Sequence, residues 1–271
     1  MEYVSLFFQI LFYTLGVPVI CGFTVFLCEW LLLRMVGRGF GHTVVMATSA
    51  IGTPVHELSH ALMCIIFGHR IDEMALWRPL HNDGTLGYVS HSYNKRNIYH
   101  QIGNIFIGIG PVFGGLGVIL LCMVLAFPET FHAYTQNISS MTVEGGSFFS
   151  MLTGGLGMIT GIFGEWSNGD ISVGWRIFAV AVMLCVSLHI TLSGADIKGA
   201  LGGLPVYLGL TLIATVIISL LGTEAMTGTI SVLRMFSAIS FALFVPVFVC
   251  AAIWLALGIL IYLLRKLLHL R

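Results

Sequence analysis

The chain has 271 residues, 57% of them hydrophobic and 9% charged, with a mean hydropathy of +0.97 and a formal net charge of zero. This is not the composition of a soluble domain, and several apolar runs exceed the roughly 18 residues that read as a membrane span. The absence of any basic excess gives no argument for nucleic acid as a partner. The six cysteines sit singly in apolar runs without CxxC spacing and read as small core residues rather than disulfides or thiolate ligands.

The pattern predicts an all-α polytopic membrane protein forming a single transmembrane domain. About six transmembrane helices are expected, at roughly 5–34, 43–68, 98–127, 171–193, 201–222 and 230–264. The first run has no basic flank or small-residue cleavage site and reads as a retained helix. Pro18 and Pro246 fall inside the first and last runs, where a proline bends a helix.

The second run carries His56-Glu57-Leu58-Ser59-His60 inside an otherwise apolar stretch. Each ionisable group at membrane depth costs about 2.5–3.5 kcal/mol on insertion scales, so such groups mark function. Histidines at i and i+4 share one helical face and can donate nitrogen to one tetrahedral zinc ion, with Glu57 beside it as general base. From the residue frequencies, roughly 0.01 accidental matches are expected in a chain of this length. The competing explanation is a pair of histidines bonded to neighbouring helices.

Three connections bear on orientation. The stretch 70–97 holds Arg70, Arg78, Lys95 and Arg96; 128–170 has no Lys or Arg but four acids; the C-terminal tail is basic. The positive-inside rule then expects the first and third in the cytoplasm, both termini inside, and the site towards the cytoplasm. Arg34 and Arg38 violate that arrangement. His60 is expected roughly 12 Å below the cytoplasmic interface.

Within 70–97, Met74–Leu80, a His81-Asn82-Asp83-Gly84 turn and Thr85–Ser90 predict a short cytoplasmic β-hairpin after the zinc-binding helix. Its strand Thr85, Leu86, Gly87, Tyr88 and Val89 lies beside the motif helix. It can hold an extended substrate segment by β-augmentation or simply cap the helix. The glycine-rich 145–163 segment is apolar and short, and reads as re-entrant or interfacial.

Two histidines leave a catalytic zinc one protein ligand short. By depth and chemistry the candidates are Asp196, His189 and His100. An Asp196–Lys198 ion pair is the plain alternative for the first. His189 can also bond between helices or stabilise an oxyanion. His69, His81 and His91 read as solvated loop residues.

Three stretches together resemble the site-2 protease family of intramembrane zinc metalloproteases. Val55–Leu62, followed by Phe67-Gly68-His69-Arg70, resembles its zinc helix and exit. Ile107–Gly114 is similar to its Gly-Pro helix. Ala195-Asp196-Ile197-Lys198-Gly199 stands where its Leu-Asp-Gly motif falls. The likeness covers about 43–222, leaving 5–34 and 230–264 as extra helices.

The resemblance implies one Zn²⁺ per chain held by His56, His60 and Asp196, and hydrolysis of a peptide bond in or near a membrane-spanning segment of a protein substrate. It also implies a multi-pass protein of the bilayer, most simply of a bacterial cytoplasmic membrane. The family's Asn-Pro element before the aspartate is replaced by Leu188–Ser193, which leaves His189 and Asn104 as candidate oxyanion or supporting residues. The 43 residues of 128–170 are too few for the PDZ domain of many relatives, so substrate choice is expected to work otherwise, for example through a regulatory membrane partner. A transporter would show internal repeats and polar midplane residues in several helices, and the last two spans have almost none. A non-proteolytic, protease-like scaffold is the other alternative.

Overall fold

The computed structural model describes residues 2–78, 85–144, 148–166 and 171–268. Helix α1 (Glu2–Leu11) passes through a π-helical turn (Phe12–Gly16) into α2 (Val17–Val36). The turn ends just before Pro18, whose missing N–H and ring crowd the preceding turn; an extra residue there accommodates both. Gly37, at φ 81°, reverses the chain into α3 (Arg38–Ile66), which carries the metal motif. Strands β1 (Arg70–Ala75) and β2 (Tyr88–Ser92) pair antiparallel, from Arg70 opposite Ser92 to Ala75 opposite Tyr88. Then come α4 (Ile98–Ala126), α5 (Pro128–Glu144), α6 (Phe148–Glu165), α7 (Val173–Ser187), α8 (Gly194–Leu201), α9 (Leu204–Leu220) and α10 (Thr223–Leu267).

The hairpin forms in an earlier register than the sequence pattern suggests. Its first strand begins at Arg70, directly after the helix, and Thr85–Gly87 lie outside the ladder. The expected Asp83-Gly84 turn and His81 lie outside the described residues.

Among the described residues, three helical stretches are long and apolar enough to cross a membrane: Tyr3–Val36, Ile98–Ala126 and Thr223–Leu267. With α8 and α9, bent by 46° at their break, the number is up to four rather than six. Helix α3 is 29 residues long, but its polar residues keep it out of that set. Helix α7 has 15 residues, about 22 Å of helix against some 30 Å of hydrocarbon. The expected span 171–193 therefore stops being helical at Ser187, and the expected span 201–222 falls on α9, which α8 precedes across a bend at Gly202-Gly203. A Cβ on Gly203 would lie 2.4 Å from the Gln101 carbonyl oxygen, so only glycine admits this approach of α4. Outward Leu, Ile and Val side chains, such as Ile213, Ile217 and Leu220, suit a protein embedded in lipid.

The first and last long helices run parallel. Leu6 packs with Met226, Arg234 bonds the Tyr13 hydroxyl at 3.3 Å, Leu32 abuts Gly258, and Arg265 donates to the Val36 carbonyl at 2.5 Å. Glu2 and Leu267 thus lie at opposite ends of this pair, whereas the expected six crossings put both termini on one face. Arg34 and Arg265 share one end of this pair.

The main core joins α2, α4, α7 and α10 around Val25, Ile119, Met123, Met183 and Phe244. The 145–163 segment is mostly α6, a regular helix whose Met158 is buried in that core. At its far end Glu165 accepts from the Thr130 backbone N–H at 3.0 Å and hydroxyl at 2.7 Å, capping α5. Buried Arg176 donates to the carbonyls of Ala126 and Glu165. These charges satisfy helix ends that apolar surroundings would otherwise leave bare.

Candidate metal centre

The i, i+4 spacing on α3 brings the His56 and His60 Nε2 atoms within 3.2 Å. Each ring is aimed by its other nitrogen. His60 Nδ1–H donates to the Ile107 carbonyl at 2.7 Å, and His56 Nδ1–H to the His189 carbonyl, also at 2.7 Å. Both carbonyls are free for chemical reasons. In a helix the Ile107 oxygen would accept from residue 111, but Pro111 has no N–H. His189 lies in the break after α7, where no helical ladder claims its oxygen. The Gly110-Pro111 element therefore does more than pack: it supplies an acceptor for a ligand-type histidine.

Asp196 arrives from the other end of that break. Ser193 is the N-cap of α8; its hydroxyl accepts from Asp196 N–H at 3.2 Å while the carboxylate accepts from Ser193 N–H at 2.7 Å. This reciprocal capping box fixes the carboxylate. Its oxygens stand 3.0 Å from His60 Nε2 and 3.5 Å from His56 Nε2. Among the described residues Asp196 makes no ion pair with Lys198, and these three side chains form the one His/Cys/Asp/Glu group close enough to hold a metal ion.

The donor set fits zinc. Tetrahedral ligands at about 2.0–2.1 Å from the ion stand roughly 3.3 Å apart, and the three separations bracket that value. N–H bonds from both imidazoles to carbonyls are the usual outer shell of metal-bound histidine.

The group lies in a cavity of about 530 Å³. Glu57, only 7% exposed, also lines it. Backbone at Gly87 crosses directly over Glu57: a Cβ there would meet Glu57 Cγ at 2.7 Å. Thr85, Leu86, Gly87, Tyr88 and Val89 all border the cavity, though only the last two belong to a strand.

Of the other ligand candidates, His189 contributes through its carbonyl, while its ring packs on Gly52 and meets the Thr48 hydroxyl at 3.0 Å. His100 accepts from Asn94 N–H at 3.3 Å and sits under Gly68, away from the metal group. Asn104 is 5% exposed, lines the cavity, and its Nδ2 has no partner among the described residues. Thr53 Oγ1 is in the same condition.

Sequence reasoning passed over Glu29. It lines the cavity from α2 and accepts from the Thr191 hydroxyl at 2.6 Å, tying the segment between His189 and Asp196 to the first long helix. The signal was available: a lone carboxylate in an apolar run. His69 and His91 also depart from expectation. His69 is 5% exposed and His91 half-buried, because the hairpin folds back onto α3 and His69 packs against α4 at Gly103.

The chain matches no protein-family model, no curated protein and no solved structure. The functional reading therefore rests on the geometry and on the motifs.

Proposed function

We propose that the protein is an intramembrane zinc endopeptidase of site-2-protease type, acting on a peptide bond in or near a membrane-spanning segment of another protein. The observation that carries this is the meeting of His56 and His60 with Asp196, from the far side of the helix break, around a cavity that also holds Glu57. His56, His60 and Asp196 would hold the zinc, which when bound supplies Lewis acidity, acidifying water and polarising a carbonyl. Glu57 takes the proton of the attacking water and delivers it to the leaving amine nitrogen. Asn104 is favoured over His189 for binding the scissile carbonyl oxygen, since its Nδ2–H groups are unclaimed and the His189 ring is engaged with Thr48. A buried, unpartnered amide is costly unless a ligand satisfies it. The polar hairpin beside the cavity and the shallow motif support water entry from the hairpin side.

The test is a map of protein N-termini in membranes carrying the wild-type chain or Glu57→Gln. New termini within or beside membrane spans should appear with the wild type alone, while the purified variant still binds one zinc per chain. Identical maps would overturn the reading.

A further inference from the structure

The His69–His91 pair lies outside the metal group, yet one member borders the same cavity. His69 Nε2 stands 2.8 Å from the His100 carbonyl oxygen, which can only accept, so that nitrogen carries a proton. His69 Nδ1 stands 3.0 Å from His91 Nδ1. Burial holds both rings below the ordinary imidazole range, so both are neutral near pH 7. In a neutral His69 with its proton on Nε2, Nδ1 is an acceptor. His91 Nδ1 must then be the donor, and its Nε2 is left as a bare lone pair.

The chain of bonds is thus directional, from His91 Nδ1–H to His69 and from His69 Nε2–H to the His100 carbonyl. Tyr93 stacks on the His69 ring at 4.7 Å between centroids and 14° between planes, fixing it further. Position on the strand completes the arrangement. His91 and Val89 alternate onto one face of β2, and both line the metal cavity. His91 Nε2 has no hydrogen-bond partner among the described residues.

We propose that His91 is a substrate-binding residue: its ring, held by His69 and the His100 carbonyl, offers an unprotonated Nε2 that accepts a hydrogen bond from a backbone N–H of an extended peptide in the cavity. This rests on the peptidase reading. A strand edge supplies its own alternating donors and acceptors to a bound peptide. A side-chain acceptor projecting from that strand adds one contact that a helical segment, with its N–H groups already claimed, cannot make. His91 therefore favours locally unwound substrate over intact helix.

Two measurements on the full chain in detergent micelles test this. Ring ¹⁵N NMR of zinc-loaded protein should find His69 protonated on Nε2 and His91 on Nδ1, the tautomer less common in free histidine. A proton on His91 Nε2 would overturn the proposal, whether or not the protein is a peptidase. The second measurement compares a peptide hydroxamate with acetohydroxamate, both anchored on the metal. His91→Ala and His91→Asn should bind the peptide probe about tenfold more weakly, while His91→Gln, which returns an acceptor near the Nε2 position, stays within about threefold of wild type. Acetohydroxamate, lacking a peptide chain, should bind all four proteins equally. Undiminished peptide-hydroxamate affinity in both His91→Ala and His91→Asn would sink the idea. Failure of acetohydroxamate to bind wild type would instead count against the zinc reading, with the tautomer result still deciding His91.

Discussion

A methyl group that touches no ligand side chain should disable the metal centre. Gly108 lies on α4 against α8; a Cβ there would stand 2.7 Å from both the Ala200 Cβ and the Asp196 carbonyl oxygen. Ordinary contact between such atoms is about 3.5 Å or more, so Gly108→Ala must push the two helices apart by nearly 1 Å. Metal sites tolerate deviations of only about 0.2 Å in ligand distance. Asp196 rides on α8 while His60 is aimed by Ile107 on α4, so the displacement acts directly on the bond between them. A tenfold to hundredfold loss of zinc affinity is expected, about 1.4–2.7 kcal/mol, with overpacking costing about 1–3 kcal/mol of stability besides. Gly117, nine residues along the same helix, is the control: nothing lies within 4 Å of its added Cβ. Gly117→Ala should leave zinc affinity within about threefold and can gain up to about 1 kcal/mol of helix propensity. Chelator competition on the purified proteins measures the affinities, and thermal melts followed by circular dichroism measure stability. If Gly108→Ala binds zinc as well as Gly117→Ala does, the close approach of α4 and α8 is not what sets the ligand geometry.

Asp196→Ala should remove bound zinc during purification, while Lys198→Ala should keep it; equal metal contents would refute the assignment of the aspartate. Glu29→Leu should weaken zinc binding by about tenfold, because Thr191 loses its acceptor between two elements of the site, whereas Glu29→Gln keeps an acceptor and should retain most of it. Stability of the hairpin should depend on pH through His69, whose folded value burial holds below the ordinary 6.5, opposed by its bond to the His100 carbonyl. The sign follows from linkage: above 6.5 the ring is neutral folded or unfolded. As the pH falls below that value, the unfolded chain takes the proton first, so stability declines. His91, also held low by burial and by His69, acts in the same direction, with Asp72 opposing. Protection factors of the β1 and β2 amides, with the intrinsic pH dependence of exchange divided out, should therefore fall between pH 6.5 and 5, and His69→Gln should flatten the response; protection factors that do not change with pH would refute the role of His69.

The membrane class and the motif were legible in the sequence because both rest on local rules. Long apolar runs need only chain composition, and the i, i+4 histidines need only the pitch of a helix. Asp196 was legible too, through its place after a helix-ending stretch of small residues. The hairpin was legible in kind but not in register. Its pairing begins before Met74, where Arg70 looks like a loop residue until Ser92 pairs with it, and Asp72 sits at a bulge that no alternation predicts.

Other features were decided by tertiary structure alone. Which carbonyls aim the two imidazoles depends on where α4 and the break after α7 lie relative to α3; Pro111 frees an oxygen, but only packing brings His60 to it. The parallel course of the first and last long helices, which brings Arg34 and Arg265 to one end, follows from side-chain contacts between segments over 200 residues apart. Charge counting along the chain sees only the loops. His69 and His91 look solvated by sequence because nothing local buries them; burial comes from the hairpin folding onto α3 and from His69 packing against α4. The residue types that could hold a metal were thus set by the chain itself. Their spacing, their aim and the neighbours that complete the cavity were set by packing, since distances between remote segments are not encoded in any local pattern.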